Sequence, residues 1–186
     1  VEDCLLNTAC NAIRLGCQNL LVDSCRFVGP GEYEHILEGT HHMHAAVKYY
    51  SPAGDEYRGD SCNWRLHNCS FVNPGRLINY DFGSEKGYQT EYPLVDLHFD
   101  SCSAQGVTMS SFFNGNEEVP GVLEFSNCEI SYEPDAESVG SPCIQLGRGA
   151  KLIERGVTYH CESGERLQGP RVIKESEVKA EVLQRR

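Results

Sequence analysis

Apolar and polar residues alternate in short runs that recur along this chain. One set holds Leu20 and Val22, Trp64 and Leu66, Leu97 and Phe99, Leu123 and Phe125. The positions between and beside them are Leu21 and Asp23, Arg65 and His67, His98 and Asp100, Glu124 and Ser126. Period-two alternation of this kind marks half-buried strands, with the first set facing inward. Each run ends in a small polar residue followed by cysteine: Ser24-Cys25, Asn68-Cys69, Ser101-Cys102 and Asn127-Cys128. A clipped copy, Asp3-Cys4, opens the chain. The apolar phase slips by one residue at the polar position, which flips every following side chain unless the backbone bends there. Asp, Asn and Ser tolerate left-handed backbone and make local side-chain turns. The phrase therefore predicts a strand, a one-residue corner at Asp3, Ser24, Asn68, Ser101 and Asn127, and a second strand with the cysteine inside.

A further phrase lies upstream of each run. Ala12-Ile13-Arg14-Leu15-Gly16 and Cys143-Ile144-Gln145-Leu146-Gly147 match closely. Ala46 to Tyr50, Leu77 to Asp81 and Gly106 to Ser110 fit more loosely. Regular self-similarity at this scale predicts a solenoid in which each repeat is one coil stacked on the last. The expectation is an all-β fold of roughly five to seven coils, with three short strands in each. In the last coil Val157 takes the cysteine slot and Cys161 falls out of register.

Three strands per coil, a polar corner and a ladder of like side chains resemble the right-handed parallel β-helix of the pectin-lyase-like superfamily. The resemblance covers residues 1–160 and is one of fold, carried by the Asn-Cys and Ser-Cys corners. It implies that sugar binds along the outer face of the first strand of each coil, about one sugar unit per coil. Residues 161–186 change character, being charged and poor in aromatics, and are expected to form a tail or cap, with a short helix or loose tail from Lys174. The chain starts inside a coil, so we expect it to belong to a larger protein or to meet a capping partner.

Composition suits strands and turns: nine tyrosines, seven phenylalanines, eighteen glycines and eight prolines. Neither a leader peptide nor an apolar run long enough to span a membrane is visible within this chain. The formal charge of −11 argues against nucleic acid and anionic membrane as partners. Ten cysteines raise the question of disulfides, but five of them hold one slot in successive coils. Side-by-side parallel Cβ vectors suit a disulfide poorly, so a ladder of buried free thiols is expected from Cys4, Cys25, Cys69, Cys102 and Cys128.

Alternation places Arg14, Lys48, Asn79, Thr108 and Gln145 in one outward row, with Tyr50 and Asp81 two positions along. The loops 28–44 and 51–63 are expected to wall it, adding Asp55 and Arg58. In a saccharide groove Lys48 or Arg14 would neutralise a uronate, Tyr50 would pack on a ring, and Asn79 and Gln145 would take hydroxyls. Asp81 is the one carboxylate placed on the row, and hence the candidate acid or base. Glycosidases need two carboxylates about 5–10 Å apart, a pair that Asp81 could form with Asp55 or Asp60 of the loop 51–63, and lyases of this type need clustered carboxylates for a cation. His41-His42-Met43-His44 offers a two-ligand start for a transition metal, from His42 and His44, without a third ligand, and is read as a polar turn entering the next strand; Arg58-Gly59-Asp60 spells the tripeptide RGD, a match short enough to be expected by chance. No cofactor and no metal are expected. The leading expectation is a non-catalytic carbohydrate-binding or surface-recognition β-helix whose partner is a polysaccharide or glycan. A polysaccharide lyase, hydrolase or epimerase, and a self-associating stalk or fibre segment of a phage tail or adhesin, are the alternatives.

Overall fold

The computed structural model describes residues 1–8, 11–15, 17–29, 45–49, 63–81, 96–113, 121–132, 143–146, 150–161, 166–167 and 171–174. All regular structure in them is β. The strands are β1 (Leu5–Asn7), β2 (Asn11–Leu15), β3 (Leu21–Asp23), β4 (Arg26–Val28), β5 (Ala45–Tyr49), β6 (Trp64–His67), β7 (Ser70–Asp81) and β8 (Asp96–Asp100). They continue as β9 (Ser103–Phe113), β10 (Gly121–Ser126), β11 (Glu129–Tyr132), β12 (Cys143–Leu146), β13 (Ala150–Arg155), β14 (Thr158–Cys161), β15 (Arg166–Leu167) and β16 (Arg171–Lys174).

Two sheets hold these strands. The smaller runs β3-β6-β8-β10-β13, parallel throughout. The larger has eleven strands, with β1-β4-β7-β9-β11-β14-β15 as one path and β2-β5 and β12-β16 joined through β7 and β9. Its pairings are parallel except for the short β14–β15 contact. Segment 161–174 thus adds strands β15 and β16 to this sheet.

The corner residues behave as their side chains predict. Asp3, Ser24, Asn68, Ser101 and Asn127 have φ of 49°, 52°, 51°, 54° and 53°, and Gly156 takes the same place in the last row at 63°. The amide of each polar corner donates to a carbonyl one strand on: Asp3 to Asp23, Ser24 to His67, Asn68 to Asp100, Ser101 to Ser126 and Asn127 to Arg155, at 2.7–3.2 Å. The ladder therefore runs through the bend, where each corner N–H keeps a backbone partner. A second row of left-handed residues precedes the smaller sheet at Asn19 and Asn63, whose amides are linked at 2.8 Å.

The expected division into separate short strands needs correction. The strand after the cysteine and the strand opening the next coil are not separate in the middle of the molecule. They fuse into the long strands β7 and β9, with register shifts between Val72 and Asn79. Left-handed Asn73, Gly75 and Gly106 (φ of 51°, 62° and 77°) absorb the extra residues.

The core lies between the sheets. Val22, Trp64, Leu66, Leu97, Phe99, Leu123 and Phe125 from the smaller sheet are buried against Phe27, Phe71, Ala104, Ile130 and Tyr159 of the larger. Phe27 stacks on Phe71 at 5.0 Å and Phe99 on Phe125 at 5.1 Å. Phe71 meets Phe99 edge-on at 6.0 Å, linking the two sheets. The void among these rings, Ala104 and the adjoining cysteines is about 10 Å³, at the lower limit for one water.

Cys25, Cys69, Cys102 and Cys128 are buried in successive rows, and these four, with Cys4, Cys17 and Cys161, are free thiols. Each thiol of this ladder donates to the carbonyl two residues earlier, at 3.1–3.3 Å. Cys69, Cys102 and Cys128 also reach a carbonyl of the preceding strand, at 3.3–3.6 Å. Cys102 is held protonated by its neighbours Cys128 and Cys69 and by burial. Cys4 departs from the expected ladder. It is exposed, as is Leu5 at 71%, because β1 is an end strand and no described residue packs beyond it.

Candidate functional site

The register of the larger sheet aligns most of the row expected to carry recognition. Arg14 pairs with Lys48, Lys48 with Asn79, Asn79 with Ser111, and Ser111 with Gln145. The fourth member is Ser111, not Thr108, because the bulges in β7 and β9 displace the alignment by three residues. Asp81 lies two positions along β7, paired with Phe113. The apolar neighbours Ile13, Val47, Ile78 and Ile144 are buried, as the alternation requires. Lys48 is half-buried. Asn79 is 6% exposed, so the row is more accessible at Lys48 than at Asn79. Tyr50, Asp55, Arg58, the His41–His44 cluster and most of the loops 28–44 and 51–63 lie outside the described residues.

A second polar surface was legible only as alternation, not as a site. On the outer face of the smaller sheet, Asp23, His67, Asp100, Ser126 and Arg155 share one register position. Leu21, Arg65, His98, Glu124 and Ile153 share the other. Parallel pairing in register puts these side chains one strand spacing apart, about 4.8 Å, so unlike groups meet across strands. His67 Nδ1 lies 2.8 Å from Asp23 Oδ1, and its Nε2 lies 3.8 Å from Asp100 Oδ2. The hydroxyls of Ser24 and Ser101 each donate to the neighbouring aspartate at 3.3 Å. The Asn127 amide reaches Asp100 Oδ1 at 3.4 Å.

The two histidines of this face are tuned in opposite directions. The hydrogen bond to Asp23, aided by the charges of Asp23 and Asp100, raises His67 above its ordinary value. The same hydrogen bond lowers Asp23. His98 is pushed down, first by burial and then by the positive charges of Arg65 and Arg155. Its Nδ1 is 3.1 Å from Glu124 Oε2, but that carboxylate also pairs with Arg155 and accepts from Ser126 at 3.2 Å. A carboxylate already neutralised in this way does little to hold a proton on the imidazole, so burial and the arginines prevail.

At the far end of the face the inward slot changes chemistry. Glu154 pairs with Phe125 in register and its carboxylate accepts a hydrogen bond from the buried Tyr159 hydroxyl. Burial and this contact push the Tyr159 hydroxyl up. Among the described residues no group of three or more His, Cys, Asp or Glu is arranged to hold a metal ion, and no helix is long and apolar enough to cross a membrane. Comparison with protein families, with curated proteins and with solved structures finds no match. The chemistry therefore rests on the geometry alone: one polar row on the larger sheet and a lattice of imidazoles, carboxylates and arginines on the smaller.

Proposed function

We propose that this chain is a non-catalytic recognition module. In this reading the two sheets are faces of a right-handed parallel β-helix of the pectin-lyase-like type, and a polysaccharide lies along the row Arg14, Lys48, Asn79, Ser111 and Gln145. The supporting observation is the shared register of those five positions across five adjoining strands. A row repeating every ~4.8 Å suits a polymer with a short regular repeat better than a compact small molecule. Lys48 and Arg14 supply positive charge for an acidic sugar, while Ser111 and Gln145 supply hydroxyl partners and the buried Asn79 keeps the row in register. Recognition is preferred to turnover because, among the described residues, the row offers one carboxylate, Asp81, where glycoside hydrolysis uses two.

The test is a glycan array, read together with reducing-end and unsaturated-product assays on the same glycans. Binding of an acidic polysaccharide that weakens at least tenfold in Lys48→Ala, with no product released, supports the proposal. Absence of binding to any glycan overturns it. Product formation that is abolished in Asp81→Asn replaces it with the catalytic alternative.

A further inference from the structure

We propose that His67 is a proton-operated clamp that ties the first three strands of the smaller sheet together. The observation is geometric. Asp23 on β3, His67 on β6 and Asp100 on β8 share one register position. Each ring nitrogen of His67 faces a different carboxylate, at 2.8 Å and 3.8 Å. A neutral imidazole has one N–H and satisfies one of these carboxylates. The imidazolium has two, and pairs with both at once.

The surroundings favour that arrangement. From β3 the ring meets Asp23, and from β8 it meets Asp100. On β6 itself the nearest cation is Arg65, whose Nε is engaged by Asn63 Oδ1 at 2.8 Å. His98, paired with Arg65 on β8, is held towards its neutral form and adds little opposing charge. The thiol of Cys69 lies on the inner side of the following corner. Ser24, Ser101 and Asn127 hold the two aspartates in place through their own hydrogen bonds. His67 is itself half exposed, so protons exchange freely with solvent.

The sign follows from linkage. His67 is raised in the folded protein, so its contribution is complete below its unfolded value of 6.5 and is lost as pH rises through the folded value. Asp23 is lowered, so its contribution is complete above its unfolded value of 3.8 and is lost as pH falls through the folded value. The clamp is fully closed between these two unfolded values and opens on the alkaline side.

The experiment is ring-nitrogen NMR titration of the histidines in the whole chain, paired with thermal melting of the parent and His67→Gln from pH 4.5 to 8.5. His67 is expected to titrate above 6.5, and its midpoint to fall in both Asp23→Asn and Asp100→Asn. The melting-temperature gap between parent and His67→Gln is expected to be widest near pH 5–6 and to close as pH rises through the His67 midpoint. A midpoint at or below 6.5 in the parent overturns the clamp. So does a midpoint unmoved by either aspartate substitution, or a melting gap that is the same at every pH, which is the mark of packing alone. The NMR titration needs only the parent chain, so it decides the matter even if a variant folds poorly.

Discussion

Removing the ring of Phe99 probes the packing between the two sheets. Phe99 is buried, stacks on Phe125 at 5.1 Å and meets Phe71 edge-on at 6.0 Å. Its register partners are Leu66 and Phe125, so an alanine there loses contacts along the sheet and across to the other sheet together. Transfer of the lost ring accounts for about 2–3 kcal/mol. A cavity term adds to this, because the neighbours are held by strand pairing on both sides and relax little. Phe99→Ala is therefore expected to cost about 3–5 kcal/mol, with Phe125→Ala in the same range. Urea unfolding followed by tryptophan emission measures it, since Trp64 is buried in the strand next to β8. An unchanged denaturant slope is required for the comparison. A loss under about 1 kcal/mol would place the ring outside the core and refute the inward assignment of the alternating set.

Other substitutions test the corners, the thiols and the outer face. Gly106→Ala is expected to cost at least about 2 kcal/mol, because φ is +77° and the new Cβ would sit 2.7 Å from Asn73 Oδ1 and 3.3 Å from the Asn73 Cα; a neutral result in urea unfolding would remove the bulge assigned there. Asn127→Ala is expected to cost about 1–2 kcal/mol while Asn127→Gly stays within about 0.5 kcal/mol, and equal losses in the two would show that φ is not what the position selects. Thiol titration under denaturing conditions without reductant is expected to find most of the ten cysteines free; a count near zero would replace the thiol ladder with disulfides. His98, lowered by burial and by Arg65 and Arg155, is expected to titrate below 6.5, and its contribution to stability is lost as pH falls from 6.5 through the folded value. Arg65→Gln should move that midpoint upward in the ring-nitrogen NMR titration, and no movement would contradict the charge assignment.

Much of the fold was readable because the repeat constrains it at each level. Alternation picked out Val22, Leu66, Phe99 and Phe125 as inward, and the one-residue phase slip located the left-handed corners at Asp3, Ser24, Asn68, Ser101 and Asn127. The placement of Val157 in the cysteine slot and of Cys161 outside it also holds, since Thr158 pairs with Glu129 and Cys161 with Tyr132. What escaped was anything set by bulges. The residues between Val72 and Asn79, and around Gly106, have no fixed period, so the fusion of strands into β7 and β9 and the exchange of Ser111 for Thr108 were not legible. The outer lattice was missed for another reason. Asp23, His67, His98, Asp100 and Glu124 were all recognised as outward, but their pairing depends on the strand register and not on spacing along the chain. Cys4 shows the limit of repeat logic, since a residue in the right slot is buried only if another row covers it.

The recognition proposal is tested most directly by the dependence of affinity on oligosaccharide length, measured by calorimetry for the parent and Lys48→Ala with one acidic glycan series. If the polymer lies along the aligned row, affinity should rise with each added sugar unit and level off near five units, about one per strand at ~4.8 Å. Lys48→Ala should weaken every member of the series long enough to reach that position. Affinity that is independent of length beyond one unit, or a series that Lys48→Ala leaves unchanged, would contradict the account.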